Sequence, residues 1–559
     1  MIRKIGWIGA KTIITALIFN VILVNVSINA QDTRNFKNPI IPGFNPDPSI
    51  CRVGEDYYLV TSSFEWFPGL PIYHSKDLVN WEQIGYVLTR PSQLQLKEGL
   101  PHSSGLWAPT IRYHNGIFYV INTATGAGGN YYVTSEKPEG PYSEPVFIEN
   151  APGIDPSLFF DDDNRCWYSG SVNGNKKIPP RKYPAEDRIY IQEIDVQTGH
   201  FKGERHIVTS GYSINSPYAE APHVYKIKGK YYLLIAEGGT WEDHAVTIFT
   251  SDSVTGPYTP FISNPLLTHR YLGNNIDITT IGHADIVQTQ YGDWYAVMLG
   301  VRPIEGYNML GRETFLTNIV FQGEVPIFNP GKGRVLAIDK RPNLTWSPFA
   351  KPNERDDFDK PELSLYWNFL RTPLTKWYTI EAEKSRIKIE VRPESIQGLG
   401  NPSIIARRVQ HHKFEASCKM IFNPSGKNIE AGMVIMQTNK FNYRLVKVIK
   451  EGRNIVQLYK SENDTGQLIA EKELDNDEIY FKVSGDNLIY RFWTGTAEYE
   501  MRQLGNDQDA TICSSNKADT FIGPFIGMYC SSNGQLLKKK EYALFDWFEY
   551  REIIVNTNN

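Results

Sequence analysis

Three carboxylates stand out in this 559-residue chain because of what surrounds them. Asp47 lies between two prolines in Phe44-Asn45-Pro46-Asp47-Pro48-Ser49, directly before an apolar run. Asp155 opens the same phrase, Asp155-Pro156-Ser157-Leu158, and Glu220 stands one residue ahead of Ala221-Pro222-His223-Val224. Proline lacks the amide donor of a sheet ladder and is tolerated at a strand's first residue, so each acid is placed at the mouth of a strand. Carboxylates gathered at one mouth push each other's titration apart, so one keeps its proton near neutral pH while another stays charged. An acid to protonate a leaving oxygen and a base to activate water are what glycosidic hydrolysis needs. No nucleophilic Ser or Cys motif competes with this reading, and Gly126-Ala127-Gly128-Gly129 lacks the Lys and Ser/Thr of a phosphate loop. Taken singly, each acid reads as a turn cap or a surface group. Their repetition at equivalent strand starts favours a shared site.

The elements that must bring these acids together follow from that repetition. Ala108-Pro109-Thr110-Ile111 and Ala284-Asp285-Ile286-Val287 are weaker copies of the phrase, which makes five. Each copy precedes a turn and an aromatic strand, at residues 56–60, 116–120, 164–168, 229–234 and 292–297. The period is roughly 50–65 residues, enough for a four-stranded blade with long loops. An all-β, five-bladed β-propeller over residues 31–341 is predicted, with each Pro-led strand innermost. Asp47, Trp107, Asp155, Glu220 and His283 would then ring one end of the central channel. The aromatic stretch Ser63-Phe64-Glu65-Trp66-Phe67-Pro68-Gly69 reads either as core filler or as a pocket wall beside Asp47.

Beyond a Pro-rich linker at 342–355, strict alternation in Phe414-Glu415-Ala416-Ser417-Cys418-Lys419-Met420 and Tyr443-Arg444-Leu445-Val446-Lys447-Val448 predicts an antiparallel β-sandwich over 356–559. Asp546, set among aromatics in the last strand, reads as a surface residue or as a ligand of a structural Ca2+ shared with Asp356 and Asp357. No cofactor is otherwise expected. The 13% aromatic content suits sheets and stacking on sugar rings, and a net charge of −4 favours neither nucleic acid nor an anionic membrane. Residues 1–30 read as an export signal: Arg3, Lys4 and Lys11 flank or precede the apolar run at 12–26, and small residues lead to Ala30. A secreted or periplasmic protein is expected, with an uncleaved anchor as the alternative. No later segment is apolar enough to span a bilayer. The five cysteines lack metal-like spacing and read as buried free thiols, with a Cys513–Cys530 disulfide left open.

Taken together, Phe44-Asn45-Pro46-Asp47-Pro48-Ser49, Ser63 to Gly69, Leu106-Trp107-Ala108-Pro109, Ile154 to Asp163, Glu220-Ala221-Pro222-His223, Ile281-Gly282-His283 and Gly311-Arg312-Glu313-Thr314-Phe315 resemble glycoside hydrolase family 43. The likeness is to its β-xylosidase and α-L-arabinofuranosidase members with a concanavalin-like C-terminal domain, and runs from about residue 38 to the end. It implies an inverting enzyme that removes terminal xylose or arabinofuranose from xylo- or arabino-oligosaccharides, either as a monomer or as a homo-oligomer. Asp47 would be the general base, Glu220 the general acid, and Asp155 the residue that orients the acid and raises its pKa. Phe64 and Trp107 would line the sugar subsite, and Arg312 would fork onto sugar hydroxyls. His283 matches a channel histidine beneath the sugar that touches a metal in some members. The resemblance also implies that a sandwich loop packs on the channel mouth, for which Phe521-Ile522-Gly523-Pro524-Phe525 is the candidate. One departure is Ala221, where many β-xylosidases of the family have Gly; its methyl is expected to narrow the subsite. A fructan enzyme on a related propeller would carry Asn-Asp-Pro and Arg-Asp-Pro where this chain has Pro-Asp-Pro and Ile-Asp-Pro. A non-catalytic sugar-binding propeller would be expected to lack one of the three acids.

Overall fold

The computed structural model describes residues 34–173, 187–212, 217–273, 275–463, 465–474 and 476–554. The expected export signal at 1–30 lies outside the described residues. Five antiparallel sheets, each with four main strands, follow one another along the chain. Their first strands are Ser49–Val53, Thr110–His114, Ile154–Phe160, Glu220–Ile227 and Thr279–Gln288, and these pack on one another around the axis. The five repeated phrases are therefore the innermost strands of a five-bladed propeller. The ring closes through the N-terminal segment. Asn38 Nδ2 donates to Leu316 O (2.9 Å) in blade five and to Leu336 O (2.9 Å), while Asn35–Lys37 pairs with Ile338–Lys340.

The degenerate fifth phrase has a purpose of its own. Asp285 is fully buried and accepts Ser49 Oγ (2.6 Å), Ile50 N–H (3.0 Å), Arg112 Nη1 (2.8 Å) and the Tyr225 hydroxyl. Burial pushes this carboxyl up, but the Arg112 charge and these donors hold it well below the usual carboxylate range. One carboxylate thus ties blades one, two, four and five at the channel axis. Removing a partner of such a buried pair typically costs about 3–5 kcal/mol.

The second half is a sandwich of two antiparallel sheets, built on Ser403–Arg408, Phe525–Ser531, Glu430–Met436 and Asn442–Lys450 on one side and on Tyr542–Glu552, Lys413–Ile421 and Glu478–Asp486 on the other. Lys413–Ile421 buries every second residue, which is the period its sequence carries. All five cysteines are free and buried, so the Cys513–Cys530 disulfide is absent. Of the two readings of Asp546, surface residue or calcium ligand, its surroundings match the first. Asp546 faces outward and pairs with Lys419 Nζ at 2.9 Å. Asp356 instead accepts Ser364 Oγ, Tyr366 Oη and Trp367 Nε1 within 3.1 Å.

The two halves are docked, not tethered. Phe369–Leu370 pairs with Trp66–Phe67 of blade one, and the Trp66 and Phe525 rings stack at 3.7 Å between centroids. Arg408 Nε donates to Phe44 O (2.7 Å), and Arg371 donates to Leu100 O through Nε and Nη2 (3.0 and 2.6 Å). The Pro-rich stretch follows blade one, where Ser347 N–H reaches Asp77 (2.9 Å) and Phe349 meets the His74 ring. Trp66, in the stretch that read as filler or wall, is interface core, while its neighbour Phe64 faces a cavity.

Candidate active site

Bulges at the mouths of the inner strands decide where the acids point. The ladder slips between Ile154 and Ser157, between Glu220 and His223, and between Gly282 and Asp285. One residue in each slip takes the left-handed conformation: Asp155 (φ 52°), Ala221 (φ 51°) and His283 (φ 49°). Asp47 does the same at the mouth of blade one (φ 54°). This conformation costs a non-glycine residue about 1–2 kcal/mol, and Asp tolerates it better than most. Bulges of this kind re-aim a side chain out of the regular pleat. Asp47, Asp155, Ala221 and His283 therefore hold equivalent places, and Glu220 is offset from them by one residue. Trp107 and Ile154 hold the matching offset in blades two and three and also line the cavity, so blade four alone puts a carboxyl at that position.

The structure brings every residue singled out for the site together. Asp47, Asp155, Glu220, Phe64, Trp107, His283 and Arg312 line one cavity of about 260 Å³. Asp47 is 4% exposed; its carboxylate accepts Ser62 Oγ (2.6 Å) and Arg312 Nη1 (2.7 Å), with His283 Nδ1 at 3.5 Å. Asp155 accepts the Ala221 amide and so grips the residue next to Glu220. Burial, then the charge of Asp47, raises the Asp155 carboxyl against the opposing pull of that amide and of Arg312. Glu220 rises well above the usual carboxylate range, through burial first and then the charges of Asp155, Asp187 and Asp47. Asp155 and Glu220 titrate as a pair that retains a proton well above ordinary carboxylate pH. Burial lowers the His283 and His223 imidazoles, the latter to about 3, so both are neutral at neutral pH.

Arg312 differs from its expected use. Its fork does not wait open for sugar hydroxyls: Nη1 binds Asp47, and Nη2 donates to the Phe521 carbonyl at 3.3 Å. Nη1 also reaches Thr240 Oγ1 at 3.4 Å, and the Nε is buried without a protein partner. The guanidinium lies beside the Phe64 and Phe521 rings, 5.6 and 5.7 Å from their centroids. Phe521, from the sandwich, completes the wall. Its ring lies 6.4 Å from Phe64, 6.1 Å from Trp107 and 6.1 Å from Trp241. Such aromatic contacts are each worth about 0.5–1.5 kcal/mol beyond burial.

Four further lining residues with polar or aromatic side chains were not legible: Tyr218, Thr240, Trp241 and His244. Three of them lie in the loop after the second strand of blade four, where Gly238-Gly239-Thr240-Trp241 sets a lone Trp in a Gly-rich turn. That is the kind of signal that marked Phe64. A second cavity of about 540 Å³ lies outside the first, and the two share Thr240, Trp241, Arg312 and Phe521. Its other walls come from both halves of the chain, including His102, Asn308, Asn439 and Asn516.

With this geometry in place, the comparisons with known proteins bear directly on it. Residues 36–326 match the model of glycosyl hydrolases family 43, and residues 355–551 match the β-xylosidase C-terminal concanavalin A-like domain. This chain belongs to family 43. It is 38% identical, over 95% of its length and 96% of the relative's, to a non-reducing end α-L-arabinofuranosidase of Bacteroides ovatus. It is 36% identical to a xylosidase/arabinosidase of Butyrivibrio fibrisolvens, over 92% of this chain and 99% of that one. The solved structure of a xylan β-1,4-xylosidase from Bacillus halodurans superposes with a TM-score of 0.86 at 34% identity, covering 92% of this chain and all of the other. The family 43 protein is thus a glycoside hydrolase, and its fold is the propeller-plus-sandwich of these relatives.

Two family expectations meet the geometry differently. Ala221 is buried at 2% exposure and does not line the cavity, so its methyl does not narrow the subsite. Its left-handed φ explains why Gly suits this position, and its amide is the group that reaches Asp155. Around His283, the charged neighbour is Asp47 and the nearest ring is His223, 6.4 Å away. Among the described residues no group of three or more His, Cys, Asp or Glu is arranged to hold a metal ion.

Proposed function

We propose that this family 43 enzyme removes single pentoses, xylose or arabinofuranose, from the non-reducing ends of xylan-derived oligosaccharides, with inversion at the anomeric carbon. The observation that carries the reading is the small inner cavity, which holds all three acids and is walled at its mouth by Phe521 of the sandwich. A volume of about 260 Å³ suits one sugar ring, which favours removal of single end units over cleavage within a polymer. The outer cavity, rimmed by Trp241, takes the leaving part of the chain. Glu220, kept protonated by burial and its acidic neighbours, donates to the glycosidic oxygen. Asp47, oriented by Ser62 and Arg312, takes the proton of the attacking water. Asp155 holds the Glu220 segment through the Ala221 amide and raises its proton affinity. The names of the relatives, xylosidase/arabinosidase and α-L-arabinofuranosidase, leave arabinofuranose as an equal candidate for the main substrate. With an export signal at 1–30, the enzyme works outside the cytoplasm.

Side-by-side turnover of 4-nitrophenyl β-xyloside and α-L-arabinofuranoside decides the sugar, and proton NMR of the first-formed product decides the stereochemistry. The expected first product is the inverted anomer, released as a monosaccharide. A retained anomer, or internal cleavage of xylan at comparable rate, would overturn the assignment. Inversion also requires the Asp47 and Glu220 carboxyls to stand roughly 6.5–9.5 Å apart in a crystal structure with bound product.

A further inference from the structure

Glu65 is fully buried in blade one, yet its side chain lies outside both cavities. Its Oε1 is 2.6 Å from His102 Nδ1, and its Oε2 accepts the Ser103 amide at 3.2 Å. On the far side of the imidazole, the amide N–H of Asn439, in a turn of the sandwich, meets His102 Nε2 at 3.1 Å. A backbone amide can only donate, so Nε2 is the bare nitrogen and Nδ1 carries the proton given to Glu65. Ser103 follows in a left-handed conformation (φ 64°) and holds two cavity walls at once. Its hydroxyl accepts the Phe521 amide (2.9 Å), and its carbonyl accepts Trp107 Nε1–H (2.9 Å). The Glu65 carbonyl accepts the Arg371 amide of the sandwich at 2.8 Å.

A tie that only glued two domains together could end anywhere on their surfaces. These hydrogen bonds end on the amide of Phe521, the indole of Trp107 and the turn carrying Asn439, and those three groups wall the inner and outer cavities. We propose that Glu65, His102 and Ser103 are positioning residues: a joint through which the sandwich sets Phe521 and Trp107 over the sugar and Asn439 beside the leaving part. The joint deepens the functional reading above and rests on the inner cavity being the sugar site. His102 and Ser103 line only the outer cavity, apart from the three acids, so the joint acts on binding and alignment and not on proton transfer. His102 is suited to this because one ring donates to the propeller and accepts from the sandwich. A Gln amide, with a donor and an acceptor on one rigid group, can do the same, and Ala can do neither.

Full-length His102→Ala, His102→Gln and Ser103→Ala are compared with wild type for kcat and KM on the preferred nitrophenyl pentoside and the matching disaccharide. Affinity for the free pentose is read from tryptophan fluorescence. His102→Ala is expected to raise KM for the disaccharide about tenfold or more, the fold-change that loss of one charge-assisted hydrogen bond brings. His102→Gln should return it to within about threefold of wild type, as one recovered hydrogen bond allows. Ser103→Ala should weaken pentose binding and raise KM on both substrates, and it decides the matter should His102→Ala not fold. Equal impairment of the Ala and Gln variants, or normal KM in folded Ser103→Ala protein, would overturn the joint. Failure of wild type to cleave either pentoside would instead overturn the reading of the site, and pentose affinity across the variants would still report on the joint.

Discussion

In the proposed mechanism, replacing Glu220 by Gln removes the proton given to the leaving sugar while keeping the side chain's shape, and the consequence depends on the leaving group. Burial and three acidic neighbours hold that proton in place, so at neutral pH the wild-type site is loaded for donation. Proton transfer by a positioned acid contributes about 10²–10⁴-fold, which is about 2.7–5.4 kcal/mol of barrier at about 1.36 kcal/mol per tenfold. A disaccharide leaves as an alkoxide unless protonated, so Glu220→Gln should lose that whole factor on it. A dinitrophenyl pentoside leaves as a weak base and needs little help, so its loss should stay within about tenfold. Asp47→Ala should lose about 10²–10⁴-fold on both substrates, because water needs its base whichever group departs. The assay is steady-state kcat/KM for the three proteins on both substrates at one pH. The alkaline limb of the profile should also vanish in Glu220→Gln on the activated substrate, since the group that titrates there is gone. Parallel losses of Glu220→Gln and Asp47→Ala on both substrates would refute the division of labour.

Two further outcomes follow from the structure. Glu220 has a folded pKa above its unfolded value of about 4.3, so its contribution to stability is whole below that value and is lost as pH rises through the raised folded value. The Tm of Glu220→Gln minus that of wild type should therefore grow from pH 4 to pH 8 in thermal unfolding; a constant or shrinking gap would show that Glu220 is not held protonated. Deleting residues 356–559 strips Phe525 from Trp66 and Phe521 from the cavity wall, baring aromatic surface of the kind that costs about 3–5 kcal/mol per ring when its packing is lost. The fragment should be insoluble or inactive on expression; a soluble, fully active propeller would show that the sandwich plays no part in the site.

What the sequence made legible, and what it did not, divides along a physical line. The three acids, Trp107 and His283 could be placed because each sits at a fixed offset from a phrase that repeats with the blades, and repetition converts sequence position into position around an axis; Phe64, outside the repeat, was placed by family likeness. Asp285 belongs to the same repeat, but its task could not be read, because its partners Arg112, Tyr225 and Ser49 come from three other blades and no local pattern pairs them. Trp241 and Thr240 lie in a loop whose length and course are peculiar to blade four, so the period said nothing of them. Arg312 was found by family likeness, but its charge is spent on Asp47 and the Phe521 carbonyl, a contact created by docking 209 residues apart in the chain. The same holds for His102 and Asn439, separated by 337 residues. The three acids are thus a property of the repeat, whereas much of the wall around them is a property of the interface. A substitution at the docked face, far along the chain from the three acids, would therefore reshape the cavity wall and leave the acids in place.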